Sequence, residues 1–235
     1  MAKQPRITVL QPDPQVPLAR FEKWLREAGV RLSVVGLWEK DVPQLSAVGE
    51  GLLLLGGRMS AHDQRTHSWL DPLADLVADA HSIGLPILGI CLGHQVLAES
   101  LGGRVAVDHR DGGEHGAVEL AWLPAAAHDP IFGPIAAQET ALVSMSHHDV
   151  VAELPAGATE LAHSARYRNQ VLRLGNAWGV QYHPEKAPES TARWETESDA
   201  EHLRLVAELT AADDRIRPAA QLVASGFARF VREEA

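Results

Sequence analysis

The chain has 235 residues, 46% hydrophobic and 22% charged, the balance of a folded protein with a full core rather than a disordered chain. Its 21 basic and 31 acidic residues give a net charge of −10 with no Lys/Arg cluster, which excludes nucleic acid as an expected partner. No apolar run approaches the roughly 20 residues that span a bilayer, so no membrane role is expected. The start, Met1-Ala-Lys-Gln-Pro, carries no apolar segment of the signal-peptide kind. A lone cysteine, Cys91, excludes an intrachain disulfide and fits a reducing, cytoplasmic setting.

Residues 6–10 read as a first strand, closed off by Pro12 and Pro14. A helix follows over residues 18–28, where Leu18, Phe21, Leu25 and Ala28 recur at helical spacing before Gly29 stops it. Residues 30–37 read as a second strand and residues 51–56 as a short, wholly apolar third. Such a run is expected where a strand is buried on both faces of a parallel sheet. Asp71-Pro72 predicts a helix start, with Asp71 as cap and Pro72 in the first helical position. Leu73, Leu76, Val77 and Ala80 form its apolar stripe, and Gly84 closes it. Residues 85–90 are another buried strand, running directly into Cys91 and a helix over 92–101 that ends at Gly102-Gly103. This alternation implies an α/β fold with a doubly wound, mostly parallel sheet and helices on both faces.

Residues 105–174 are richer in short strand-like pieces and turns. Two late segments read as separate helices, one through Leu203, Val206 and Ala207, the other through Leu222, Val223, Phe227 and Val231. The acidic stretch 195–201 reads as a solvated helix start or loop. With no linker visible, the chain is expected to form a single domain over 1–235, with its core at about 6–186 and a helical extension over 187–235.

The chemistry concentrates at two places. Gly89-Ile-Cys-Leu-Gly93 has the form glycine, spacer, nucleophile, spacer, glycine between a buried strand and a helix. In such an elbow the turn is so tight that small residues must flank the nucleophile. The helix N-terminus then favours the Cys91 thiolate, and the Leu92 amide points where an oxyanion would form. The competing reading is a buried core thiol, which gives the flanking glycines no purpose. Downstream, His183 lies in Gly179-Val-Gln-Tyr-His-Pro-Glu185 at the end of a strand-like stretch over 180–182. Pro184 biases His183 toward extended backbone, and in an extended chain residues two apart face the same way. Glu185 would then lie beside the imidazole, where a carboxylate fixes the tautomer and stabilises imidazolium. Alone, His-Pro-Glu would read as a surface turn; its weight comes from the pairing with the elbow.

Together, Gly-Ile-Cys-Leu-Gly-His-Gln and the later Gln-Tyr-His-Pro-Glu resemble the class I glutamine amidotransferase family, and within it the amidotransferase part of GMP synthases. Leu55-Gly-Gly-Arg-Met-Ser60 resembles the family's strand and Gly-Gly turn, and Met145-Ser-His-His-Asp-Val150 its substrate loop. The resemblance covers residues 6–186. It implies a flavodoxin-like sheet, with Cys91 as nucleophile, His183 as general acid and base, and Glu185 as orienter. It further implies an oxyanion hole from the Gly57 and Leu92 amides. Substrate contacts would come from Gly56, Gln95, Ser146 and His147, with Asp149 ordering the loop and Glu114 bordering the cleft.

Two departures stand out. Arg58 occupies a position where many relatives have proline, either as a solvated loop residue or as a partner for a carboxylate of a larger substrate. After residue 186 no synthetase domain follows, only the helical segments. The resemblance implies glutamine or a γ-glutamyl compound as substrate, handled by a hydrolase in its own right or by a glutaminase subunit serving a separate ammonia-accepting synthetase. A non-catalytic regulatory module on the same fold is the remaining alternative. No metal is expected, because His62, His67, His109, His115 and His148 lack ligand spacing. No cofactor is expected, and no Gly-x-x-x-x-Gly-Lys loop is present for ATP chemistry.

Overall fold

The computed structural model describes residues 4–190, 196 and 198–235. The first half contains β1 (Arg6–Gln11), α1 (Arg20–Glu27), β2 (Arg31–Gly36), β3 (Gly51–Leu54), α2 (Leu70–Ser82), β4 (Ile87–Ile90) and α3 (Leu92–Ser100). There follow β5 (Arg104–Ala106), β6 (Glu114–Trp122), the short α4 (Gly133–Ala136), β7 (Thr140–His147) and β8 (Val150–Glu153). Then come β9 (Thr159–Ser164), β10 (Val171–Leu174), β11 (Ala177–Val180) and the long α5 (Asp199–Glu234).

Nine strands form one sheet in the order β2-β1-β3-β4-β11-β10-β9-β6-β7, and β5 pairs with β8 apart from it. From β2 to β11 every pairing is parallel. From β11 to β7 every pairing is antiparallel. The α/β class expected from the sequence holds, and the parallel half has the flavodoxin-like order when β11 is counted as its fifth strand.

Helices cover both faces of the parallel half. Side chains alternate across a strand, and the core divides accordingly. Leu53, Leu55, Leu88 and Ile90 pack with Phe21 and Leu25 of α1 and with Val223, Phe227 and Val231 of α5. Leu52, Leu54 and Ile87 pack with Leu73 and Val77 of α2 and with Val96 and Leu97 of α3. That is why β3 and β4 are buried at every position.

Three local expectations need correction. The second helix begins at Leu70, with Trp69 in the cap position and no side-chain cap bond. A turn in which the Leu70 amide donates to the His67 carbonyl feeds straight into it, so Asp71 and Pro72 already lie within its first turn. The strand before His183 stops at Val180 rather than running on to Tyr182. The two late helices are one, α5, with Pro218 inside it. Its two parts face different partners. Leu205, Leu209 and Ile216 pack on Ala117 and Leu142, whereas Ala220 to Val231 join the main core. Of the acidic stretch, residues 195 and 197 lie outside the described residues. Asp199 and Glu201 sit in the first turn of α5, where the Ser198 side chain accepts from the Glu201 amide at 3.2 Å, as a helix start would.

Candidate active site

The elbow is built by close packing. Cys91 has φ 50° and ψ −105°, a conformation that side-chain-bearing residues rarely adopt and that persists only where the surroundings enforce it. Its amide donates to the Val180 carbonyl at 2.8 Å, and its carbonyl accepts from the Gln95 amide at 3.1 Å. A Cβ on Gly89 would run into the backbone of Gly93, and one on Gly93 would run into the Leu54 carbonyl. The helix therefore starts directly against the neighbouring strands, with the sulfur at its N-terminus. Among the described residues the Gly57 and Leu92 amides donate to no acceptor of the chain.

His183 follows β11, the strand beside β4. Its amide donates to the Ser144 carbonyl at 2.8 Å, and its Nδ1 lies 2.7 Å from Oε1 of Glu185. The ring lies near enough to the Cys91 sulfur to feel its charge. Both His183 and Glu185 are buried. Burial disfavours the imidazolium, but the Glu185 carboxylate and then the Cys91 sulfur outweigh it, and the His183 pKa is pushed up to about 10. Gly56 supports the ring from below: a Cβ there would lie 2.9 Å from the His183 Cε1 and 3.5 Å from the Cys91 Cβ.

A cavity of about 610 Å³ opens above the sulfur, lined among others by Gly57, Cys91, Gln95, Ser146, His147 and His183. That volume suits a small-molecule ligand. The Ser146 carbonyl accepts from the Cys91 thiol at 3.8 Å. Gln95 Nε2 donates to the Asp149 carbonyl at 3.0 Å. The His147 ring is held at both ends: Nδ1 is 3.1 Å from the Asp149 carbonyl and Nε2 is 3.3 Å from Oε2 of Glu114. Oδ1 of Asp149 accepts from the Asp108 amide at 2.9 Å, so its carboxylate ties the loop to a neighbouring segment.

Sequence reasoning missed several neighbours. Gln181 bridges the elbow and the wall, with Nε2 3.7 Å from the Cys91 sulfur and Oε1 3.3 Å from Gln95 Nε2. Its place two residues before His183 was the available signal, since residues two apart in extended chain share a side. Gln170 donates to Oε2 of Glu114 at 3.1 Å. His94, inside the elbow motif, is fully buried. Burial, and then the charge on His147, press its pKa down to about 3, so it packs as a neutral ring. Arg58 meets a carboxylate of the chain itself: Nε is 2.6 Å from Oδ2 of Asp13 and its terminal nitrogen is 3.1 Å from Oδ1. Burial works against the Asp13 charge, but the Arg58 hydrogen bond and further backbone bonds hold its pKa below the ordinary value. Among the described residues no group of three or more His, Cys, Asp or Glu could hold a metal ion, and no helix is long and apolar enough to cross a membrane.

A strained cysteine elbow on an α/β sheet, facing a histidine-carboxylate pair, is the arrangement of a cysteine-dependent amide hydrolase. The profile of the family described as glutamine amidotransferase class-I matches residues 20–195, and the chain belongs to that family. A GMP synthase (glutamine-hydrolysing) from Pyrobaculum aerophilum is 30% identical over 192 residues, covering 82% of this chain and 35% of that protein. A protein of the same name from Helicobacter acinonychis is 32% identical over 161 residues, covering 68% of this chain and 29% of its own length. The chain thus spans about a third of the length of these curated relatives. The crystal structure of a glutamine amidotransferase from Thermotoga maritima superposes with a TM-score of 0.83 at 24% identity, covering 97% of this chain and 99% of that one. At that identity the likeness speaks to the fold.

Proposed function

We propose that the chain hydrolyses the γ-amide of glutamine or of a γ-glutamyl compound through a Cys91-His183-Glu185 triad. The observation that carries this reading is the strained Cys91 elbow, which lines one cavity with a His183 ring that Glu185 holds at 2.7 Å. The raised pKa of His183 keeps an imidazolium, and with it a general acid, beside the sulfur at neutral pH. Attack of the Cys91 sulfur on the γ-carbonyl forms the C–S bond. The Gly57 and Leu92 amides, neither of which donates to a backbone acceptor among the described residues, then receive the oxyanion. His183 protonates the departing amine as the C–N bond breaks, leaving a γ-glutamyl thioester. Water, deprotonated by His183, releases glutamate and restores the thiol. Gln95, Ser146 and His147 would shape the recess for the amino-acid end, with Gly56 fixing the ring above it.

The relatives supply a second reading of how the product is used. Both are named GMP synthases that hydrolyse glutamine, and this chain matches one part of them. It would then hand ammonia to a separate synthetase, and its turnover of free glutamine would rise when that partner docks. The reduced lone cysteine fits a cytoplasmic enzyme in either case.

The test is glutamate release from glutamine by the purified protein, beside iodoacetamide labelling of Cys91. We expect turnover, labelling faster than that of a free cysteine, and loss of at least about 10⁴-fold in turnover for Cys91→Ala with an unchanged circular dichroism spectrum. Wild-type turnover in Cys91→Ala, or labelling no faster than a free cysteine, would return the chain to a non-catalytic module.

A further inference from the structure

Beside the catalytic cavity lies a second one, of about 660 Å³. Its walls come from segments that leave the carboxyl ends of three neighbouring strands. Pro12, Asp13 and Pro14 follow β1, Leu37 and Trp38 follow β2, and Arg58 and Met59 lie beyond β3. In the order β2-β1-β3-β4 the connection leaving β1 runs to β2 on one side and the one leaving β3 runs to β4 on the other, and the crevice above such a switch point is where open α/β sheets bind ligands. The triad does not use this crevice, because Cys91 and His183 follow β4 and β11.

The two cavities share Arg58, Met59 and Asp63 as a common wall. In the arrangement proposed below, a substrate seated on Cys91 by its γ-carbonyl reaches across that wall with its leaving amine. Ammonia, the leaving group of glutamine, needs no such space. A substituted amine does.

The lining says what kind. Trp38 and Trp69 both border the cavity, and His67 stands edge-on to Trp69 with ring centroids 5.6 Å apart. Trp38 is 45% exposed although it is a large apolar ring, which leaves its surface available to a flat partner. Charge disfavours an anionic tail. Asp13 and Asp63 outnumber Arg58 among the lining side chains, and both Asp13 oxygens are already bonded to Arg58. A carboxylate tail would have to share Arg58 with the buried Asp13 and would face the Asp13 and Asp63 charges across the crevice.

We propose that this crevice is a leaving-group subsite, and that the preferred substrate is a γ-glutamyl amide of an amine with an aromatic tail. The proposal rests on the amide-hydrolase reading above and specifies its substrate. In the reaction the Cys91 sulfur bonds to the γ-carbonyl carbon, the C–N bond breaks, and the arylalkylamine leaves with the proton from His183. Water then hydrolyses the thioester.

The experiment compares kcat/KM for γ-glutamylphenethylamide, γ-glutamylglycine and glutamine with the purified full chain. The aryl amide should exceed both others by at least about tenfold. Trp38→Ala should erase most of that preference, chiefly through KM, and Trp38→Phe should restore it. Binding is read separately with the Cys91→Ala protein, whose tryptophan fluorescence should change saturably with the aryl amide at concentrations where glutamine has no effect. Glutamine turned over as fast as the aryl amide, a Trp38→Ala protein slowed equally toward all three substrates, or a flat fluorescence titration would overturn the subsite while leaving the amide-hydrolase reading in place. Failure of all three substrates together with Cys91 labelled no faster than a free cysteine would overturn both.

Discussion

The two halves of the sheet hold their parts of the site by different means. In the parallel half, Cys91 leaves β4 and His183 follows β11, and these strands pair in register from Ile87 with Ala177 to Ile90 with Val180. One strand pair thus sets the proposed nucleophile against the proposed base, and the backbone packing around the elbow leaves no room for an added carbon. In the antiparallel half, Ser146 and His147 come from β7 at the far edge of the sheet. Their wall is joined to the elbow by hydrogen bonds, through Glu114, Asp149, Gln95 and Gln181. Steric construction is all-or-none, because packed interiors do not deform gradually. Hydrogen-bonded construction should be adjustable one bond at a time.

Gly93→Ala is the sharpest way to break that contrast. Its Cβ would meet the Leu54 carbonyl, a backbone atom that cannot rotate aside. We expect a loss of at least about 3 kcal/mol in urea unfolding, together with loss of rapid Cys91 labelling. A cost under about 1 kcal/mol with labelling retained would mean that the elbow is not held by contact.

Glu185→Gln tests the base with the backbone left alone. It keeps the shape of the carboxylate and removes its charge. Turnover should fall by roughly 10²–10⁴-fold. The direction in pH follows from the forces on His183. Burial lowers its pKa, and the Glu185 and Cys91 charges raise it to about 10. Removing one of those charges lets the pKa fall, so the imidazolium proposed to protonate the leaving amine is lost at lower pH. The alkaline limb of the kcat/KM profile should therefore move down. A limb that stays in place would show that Glu185 does not set the charge on His183.

The parallel half was the more legible in the sequence, for the same physical reason. Close packing leaves local marks: the wholly apolar run at Leu52 to Leu55, and glycines two residues either side of Cys91. His183 and Glu185 were readable because extended backbone puts residues two apart on one side. The polar wall was less readable, because its bonds join distant positions. Gln170 and Glu114 are 56 residues apart and Arg58 and Asp13 are 45 apart, and no local pattern links either pair. The single span of α5 was hidden twice over. Pro218 reads as a break, and the apolar face changes partner from Ala117 and Leu142 to the main core along its length.

Glu114→Gln probes the adjustable side of the comparison and should have the smallest effect. The Glu114 Oε2 holds both the His147 Nε2 and the Gln170 Nε2. Glutamine can still accept through one oxygen, but the charge that strengthens both bonds is gone. Losing charge assistance at a buried pair is worth about 1 kcal/mol, a factor of about five in an equilibrium. His147 lines the cavity, and among the described residues its ring bonds Asp149 and Glu114 rather than the Cys91-His183 pair. The loss should therefore appear as a several-fold rise in KM with kcat nearly unchanged and the pH profile in place. A fall in kcat at constant KM would sharpen the picture differently. The wall would then stabilise the reacting state itself, and the division between a rigid reacting centre and a tunable recess would have to be redrawn around Glu114.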